Sequence, residues 1–241
     1  SSDAAESRRA LIRSLEDARS ALTKATVRGD RALAAEALVE IALTAAARGW
    51  LTETRTAVES ARELRGDLET LWKTDLALAK VYQFRSEYPL AIEHARSAVE
   101  AVEQIRLRYS SDHAAMFQRR EPAFLLTELL AQSGEVLASL HASEFLRVRN
   151  PGEVPPDVKE IEALAVEAGN DFTVQVMVNC GTRLLIWTTN AGSWKLSLVD
   201  CEKGELVGFI DRLHSSRGKD LESAAWISSK LFGSSVPVTE R

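Results

Sequence analysis

Thiols are scarce in this chain. Cys180 and Cys201 are its only cysteines, too few for a disulfide framework or a four-cysteine zinc site. A reducing, cytoplasmic setting fits that usage best. Histidine is scarce too. His94, His113, His141 and His214 are scattered and build neither HExxH nor a His/Cys cluster, so nothing calls for a metal or other cofactor. Excess positive charge is missing: 30 Lys and Arg against 35 Asp and Glu leave a net charge of −5. Without a basic field to hold a polyanion, the composition argues against nucleic acid as a partner for this chain. No apolar run approaches the roughly 18 residues of a membrane span, and no signal peptide opens the chain. The ends, SSDAAESRR without a methionine and SVPVTER, read as cuts in a longer polypeptide, so part of the function is expected elsewhere.

What is present is a large apolar fraction, 45% of 241 residues, enough for one large domain or two small ones. Residues 6–149 read as helix after helix, rich in Ala, Leu, Arg and Glu. The few glycines there (Gly29, Gly49, Gly66, Gly134) fall where helices should turn. The cluster NPGEVPPD, residues 150–157, is the clearest breaker. It divides a helical domain, 1–149, from a second part, 158–241. In that part IEALAVEA predicts a short helix. FTVQVMV, RLLIWTT and WKLSLV predict three strands, separated by the turn compositions NCG and NAGS. ELVGFIDRLHSS and DLESAAWISSKLFG return to helical spacing. The expected fold class is mostly α with a small α/β part: helical repeats, then a three-strand antiparallel meander with flanking helices.

The helical half repeats itself. Ile41, Ala42 and Ala45 correspond to Leu78, Ala79 and Tyr82, and Thr54 and Ala61 to Ala91 and Ala98. A third copy supplies Leu126, Thr127 and Leu130, then Ser139 and Leu146. With Tyr88 to Ile92 reading Y-x-x-A-I, these residues resemble the tetratricopeptide repeat, TPR. The resemblance implies antiparallel helix pairs that approach closely at small residues. The spacings depart from the type repeat of roughly 34 residues: Ala61 to Ala98 is 37, and Ala98 to Leu146 is 48. The extra residues lie in LRYSSDHAAMFQRRE, and no copy ends in the usual proline.

A solenoid of such pairs offers a concave face for a protein or peptide partner. In the best copy Lys73, Leu76, Lys80, Gln83 and Phe84 are the candidate partner-binding residues. Lys73 and Lys80 are seven apart and share a face, which favours an acidic or carboxylate-bearing segment. The bland alternatives are a solvated face for the lysines and a core contact for Phe84.

The whole order (degenerate TPR pairs, a proline-rich gap, a short helix, a meander containing TVQVMV and RLLIWTTNAG, then helices including AAWISSKLF) resembles the CHAT family. Those are caspase-like cysteine peptidases, related to separase and commonly fused to TPRs. The resemblance implies a cysteine–histidine dyad, each residue at the end of a core strand, with backbone N–H groups stabilising the oxyanion.

Within this chain VDCEKGEL, 199–206, shares a cysteine, a glutamate and a later glycine with that nucleophile motif. Two arguments oppose a site here. Adjacent parallel strands need a crossover of about a dozen residues or more, yet only ten separate Asn190 from Cys201. Asn190 stands where the histidine is wanted, and asparagine is no general base. Cys201 is therefore read as the end of the third strand, and Cys180 as a turn residue. The expectation is a recognition and control module with the opening part of a caspase-like domain, the dyad lying outside this chain. The remainder of that domain would be a second partner. Two alternatives remain: a non-enzymatic TPR adaptor, and, ranked last, a thiol enzyme using Cys201.

Overall fold

The computed structural model describes residues 2–108, 119–146, 155–169, 175–179, 183–190 and 192–200. Cys180, Cys201, His113, His214 and the two helices expected after residue 204 lie outside them. Among the described residues there are eight helices: α1 (Ser2–Arg28), α2 (Arg31–Ala46), α3 (Leu51–Leu64), α4 (Leu68–Phe84), α5 (Tyr88–Arg108), α6 (Glu121–Gln132), α7 (Val136–Glu144) and α8 (Val158–Ala168). Three strands follow: β1 (Gln175–Asn179), β2 (Arg183–Asn190) and β3 (Ser193–Asp200). The protein is thus mostly α with a small sheet. It divides into two compact units, Ser1–Ser133 with Ala142–Pro155, and Gly134–His141 with Pro156–Arg241.

Local chemistry sets the helix ends. Asp30 caps α2 by accepting from the Leu33 N–H at 3.0 Å. Asp67 caps α4 through the Thr70 N–H at 2.9 Å. Each satisfies an N–H that has no partner within its helix. α8 opens on a capping box: the Glu160 N–H donates to Asp157 Oδ1 at 2.8 Å, and the Asp157 N–H donates to Glu160 Oε2 at 2.7 Å.

The turns carry the repeat. After α2 the Gly49 N–H donates to the Ala46 carbonyl and the Trp50 N–H to the Ala45 carbonyl. After α4 the Ser86 N–H donates to Gln83 and the Glu87 N–H to Tyr82. Each donor and acceptor in the second turn lies 37 residues after its counterpart in the first. Gly49, Ser86 and Gly134 all have positive φ, 71°, 61° and 77°, the left-handed residue that closes such a helix end. They lie 37 and 48 apart, as do the small residues singled out by the sequence.

Packing explains why those residues are small. Ala42, Ala79 and Thr127 are 0% exposed, and so are Thr54, Ala91 and Ser139. A longer side chain at these positions would force close-packed neighbours apart. The three hydroxyls are satisfied locally: Thr54 Oγ1 donates to the Trp50 carbonyl, Thr127 Oγ1 to Ala123 and Ser139 Oγ to Val136. The core of the first unit forms where Leu15 and Ala18 of α1, Ile41, Ala42 and Ala46 of α2, Val58 of α3, and Leu78 and Val81 of α4 meet.

In the second unit the sheet order is β1-β2-β3, both pairs antiparallel, the meander expected from the alternating pattern. Trp187 pairs with Val176 on one side and Leu196 on the other. Successive β2 residues Leu184, Leu185, Ile186 and Trp187 are all buried, so both faces of this central strand are covered. The Trp187 indole N–H donates to Ser139 Oγ at 3.1 Å, and that of Trp194 donates to the Ile161 carbonyl at 2.8 Å. The early part of α7 and α8 thereby belong with the sheet.

Candidate recognition groove

α2 is the middle helix of three in the first unit, packed against both α1 and α4. A groove of about 860 Å³ opens among them. Its floor is one stripe of α2: Leu33, Glu36, Ala37 and Glu40, at the i, i+3, i+4, i+7 spacing that keeps side chains on one face. One wall is a stripe of α1 running from Ala10 to Ala21 through Arg13, Ser14, Asp17 and Ala18. The other is the start of α4, with Glu69, Thr70 and Lys73, and the preceding Arg65. At about 1.5 Å per residue, the α1 stripe is roughly 17 Å long, three helical turns.

The α4 side is electrostatically closed. Arg65 Nη1 lies 3.5 Å from Glu36 Oε1, and Arg65 Nε pairs with Asp67. Glu69 takes Lys73 Nζ at 3.2 Å on one oxygen and Arg119 Nη2 at 3.1 Å on the other. Burial pushes the Glu69 carboxyl up. The adjacent Arg119 and Lys73 cations outweigh burial, so its pKa lies below the ordinary 4.5. Asp67 behaves alike: burial raises it, and the Thr70 N–H, the Thr70 hydroxyl and Arg65 bring it below 3.8.

The α1 side is open. Ser14 Oγ and Thr44 Oγ1 lie 3.4 Å apart, which fixes the antiparallel register of α1 and α2. One turn on along α1 is Asp17; one turn back along α2 is Glu40. The two carboxylates therefore stand at one level of the groove. Neither has an ion-pair partner among the described residues, and nor does Arg13, one turn before Asp17.

Of the five residues proposed from sequence, only Lys73 lines this groove. Leu76 is 1% exposed and belongs to the core, which corrects its assignment as binding surface. Leu76 lies one turn from both Lys73 and Lys80, on the flank of α4 from which Lys80 reaches Glu121 of α6. Lys80 reaches Glu121 at the start of α6. Gln83 is half-buried. Phe84 is 65% exposed, and its ring lies over Gly49, where an added Cβ would come within 2.3 Å. Lys73 pairs with Glu69 and Lys80 with Glu121, so each lysine already has a carboxylate partner within the chain. The stripe of α1 and the Glu36 and Glu40 side of α2 were missed. Their signal was the recurrence of Ala10, Ser14, Ala18 and Ala21, small residues on one helical face.

His94 and His141 sit in helices α5 and α7, as read from sequence. Among the described residues no group of three or more His, Cys, Asp or Glu could hold a metal ion, and no helix is long and apolar enough to cross a membrane. Comparison of the chain with protein-family models, curated proteins and solved structures finds no match.

Proposed function

We propose that this chain is the recognition and control portion of a TPR–CHAT protein. Its helix pairs bind a protein or peptide partner, and its second unit is the opening section of a caspase-like domain whose catalytic cysteine and histidine lie outside the chain. The observation that carries the recognition role is the groove, whose α2 floor is left uncovered between two flanking helices. The repeated left-handed turns at Gly49, Ser86 and Gly134, with buried small residues in matching register, support TPR-like pairs. The order of helices then meander supports the CHAT resemblance. The groove supports a binding role, and control of proteolysis rests on the resemblance alone.

The test selects helical peptides from a displayed library on the immobilised full chain, with counter-selection on Ala21→Phe, which fills the groove. Peptides that bind wild type and not the variant support the reading. A library whose every enriched peptide binds both equally removes the groove as the recognition site. Separately, a thiol-directed probe should label Cys201 no faster than Cys180. Stoichiometric, selective labelling of Cys201 at neutral pH would require a depressed thiol pKa and would favour a thiol enzyme.

A further inference from the structure

We infer that the occupant of this groove is an amphipathic helix of about three turns that sets one lysine or arginine between Asp17 and Glu40. The inference rests on the recognition reading above and adds the chemistry of the partner.

Shape argues for a helix. The floor and the α1 wall are both single helical stripes running along the groove, and the space is the seat a fourth helix takes beside three packed ones. Ala18, Ala21 and Ala37 keep floor and wall low, so another helix can approach closely with its larger apolar side chains pointing in. Leu33, 36% exposed at one end, offers an apolar contact.

Charge argues for a cation on that helix. The lining holds four carboxylates (Asp17, Glu36, Glu40, Glu69) and three cations (Arg13, Arg65, Lys73), four minus three leaving one negative charge. On the α4 side Glu36, Asp67 and Glu69 face Arg65, Lys73 and Arg119, three charges against three. The uncompensated charge therefore sits at the open end, where Asp17 and Glu40 share one level and only Arg13 opposes them. A partner covering this end without a cation would strip water from two carboxylates and return one guanidinium for both, which disfavours binding. A single ammonium or guanidinium from the partner restores balance.

The experiment uses the full chain and two fluorescein-labelled synthetic peptides of about 15 residues, helical, with Leu and Ala at i, i+3, i+4 and i+7 and a central Lys or a central Glu. Anisotropy titrations are run on wild type, on Asp17→Lys with Glu40→Lys, and on Ala21→Phe, each first checked for native helicity and melting. The Lys peptide should bind wild type roughly tenfold more tightly than the Glu peptide. The double charge reversal should invert that preference, and Ala21→Phe should weaken both. If both peptides bind wild type equally and only Ala21→Phe weakens them, the groove still recognises helices and the cation inference is overturned. If neither peptide binds, or binding ignores Ala21→Phe, the helix-in-groove inference itself is overturned, while the library selection decides independently whether the groove recognises any partner.

Discussion

One carboxylate ties three helices together: Asp75 Oδ1 on α4 lies 2.9 Å from His94 Nδ1 on α5, and Asp75 Oδ2 lies 2.9 Å from Arg62 Nη2 on α3. Arg62 Nε also donates to Thr74 Oγ1 at 2.9 Å, and the His94 ring stacks on Tyr82 with 5.6 Å between centroids. Asp75 is only 9% exposed, so its removal leaves a half-buried guanidinium without its counter-charge. Asp75→Ala should cost about 2–4 kcal/mol in urea unfolding. His94→Ala, which keeps the Arg62 pair, should cost less. Equal losses for the two variants would mean the arginine contact contributes nothing.

The left-handed turns give opposite predictions for two residues. Ser86 adopts φ 61° with a side chain, so Ser86→Gly should stabilise the chain by about 0.5–1 kcal/mol. Gly49→Ala should destabilise it by about 1–2 kcal/mol, because φ there is 71°. The added methyl also meets the Phe84 ring, but that ring is largely exposed and can swing aside. Combining Gly49→Ala with Phe84→Ala should therefore recover little of the loss. Full recovery in the thermal melt would show that the ring clash dominates over backbone strain.

In the second unit, Ser139→Ala would strand the Trp187 indole N–H, fully buried and bonded to the serine hydroxyl. An unsatisfied buried donor costs about 1–3 kcal/mol, a loss readable from the Trp emission during unfolding. Stability unchanged within error would mean that another acceptor replaces the serine.

Acid should weaken the start of α4. Both Asp67 and Glu69 have folded pKa values below their ordinary 3.8 and 4.5. A depressed carboxyl binds its proton more readily when unfolded, so its contribution is present above the ordinary value and is lost as pH falls through the folded one. Stability should fall below about pH 4.5, and further below 3.8. Asp67→Asn with Glu69→Gln should flatten that part of the profile. An unchanged slope in the double variant would assign the acid sensitivity to other carboxylates.

Much of the fold was legible because it depends on local periodicity. Small residues recurring with offsets of 37 and 48 mark where helices touch, alternation in FTVQVMV and WKLSLV marks half-buried strands, and the unbroken apolar run in RLLIWTT marks a strand covered on both faces. The groove was not legible for a reason visible at Leu76 and Lys80. Helical spacing groups residues into faces, but which face a neighbour covers depends on how the helices pack. Leu76 shares a helix with Lys73 and is buried; Lys80 shares a face with Lys73 and is taken by Glu121 from α6. The early part of α7 was similarly opaque. Ser139 fits the helical repeat in sequence, while its hydroxyl serves Trp187, 48 residues further on.

Backbone hydrogen exchange on the full chain, with and without a saturating groove-selected peptide, tests the recognition role most directly. Protection should rise along residues 10–21 of α1, 33–40 of α2 and the first turn of α4, and stay unchanged in the sheet. Protection that appears only outside these three segments, or nowhere despite tight binding, would contradict the assignment of this groove as the recognition site.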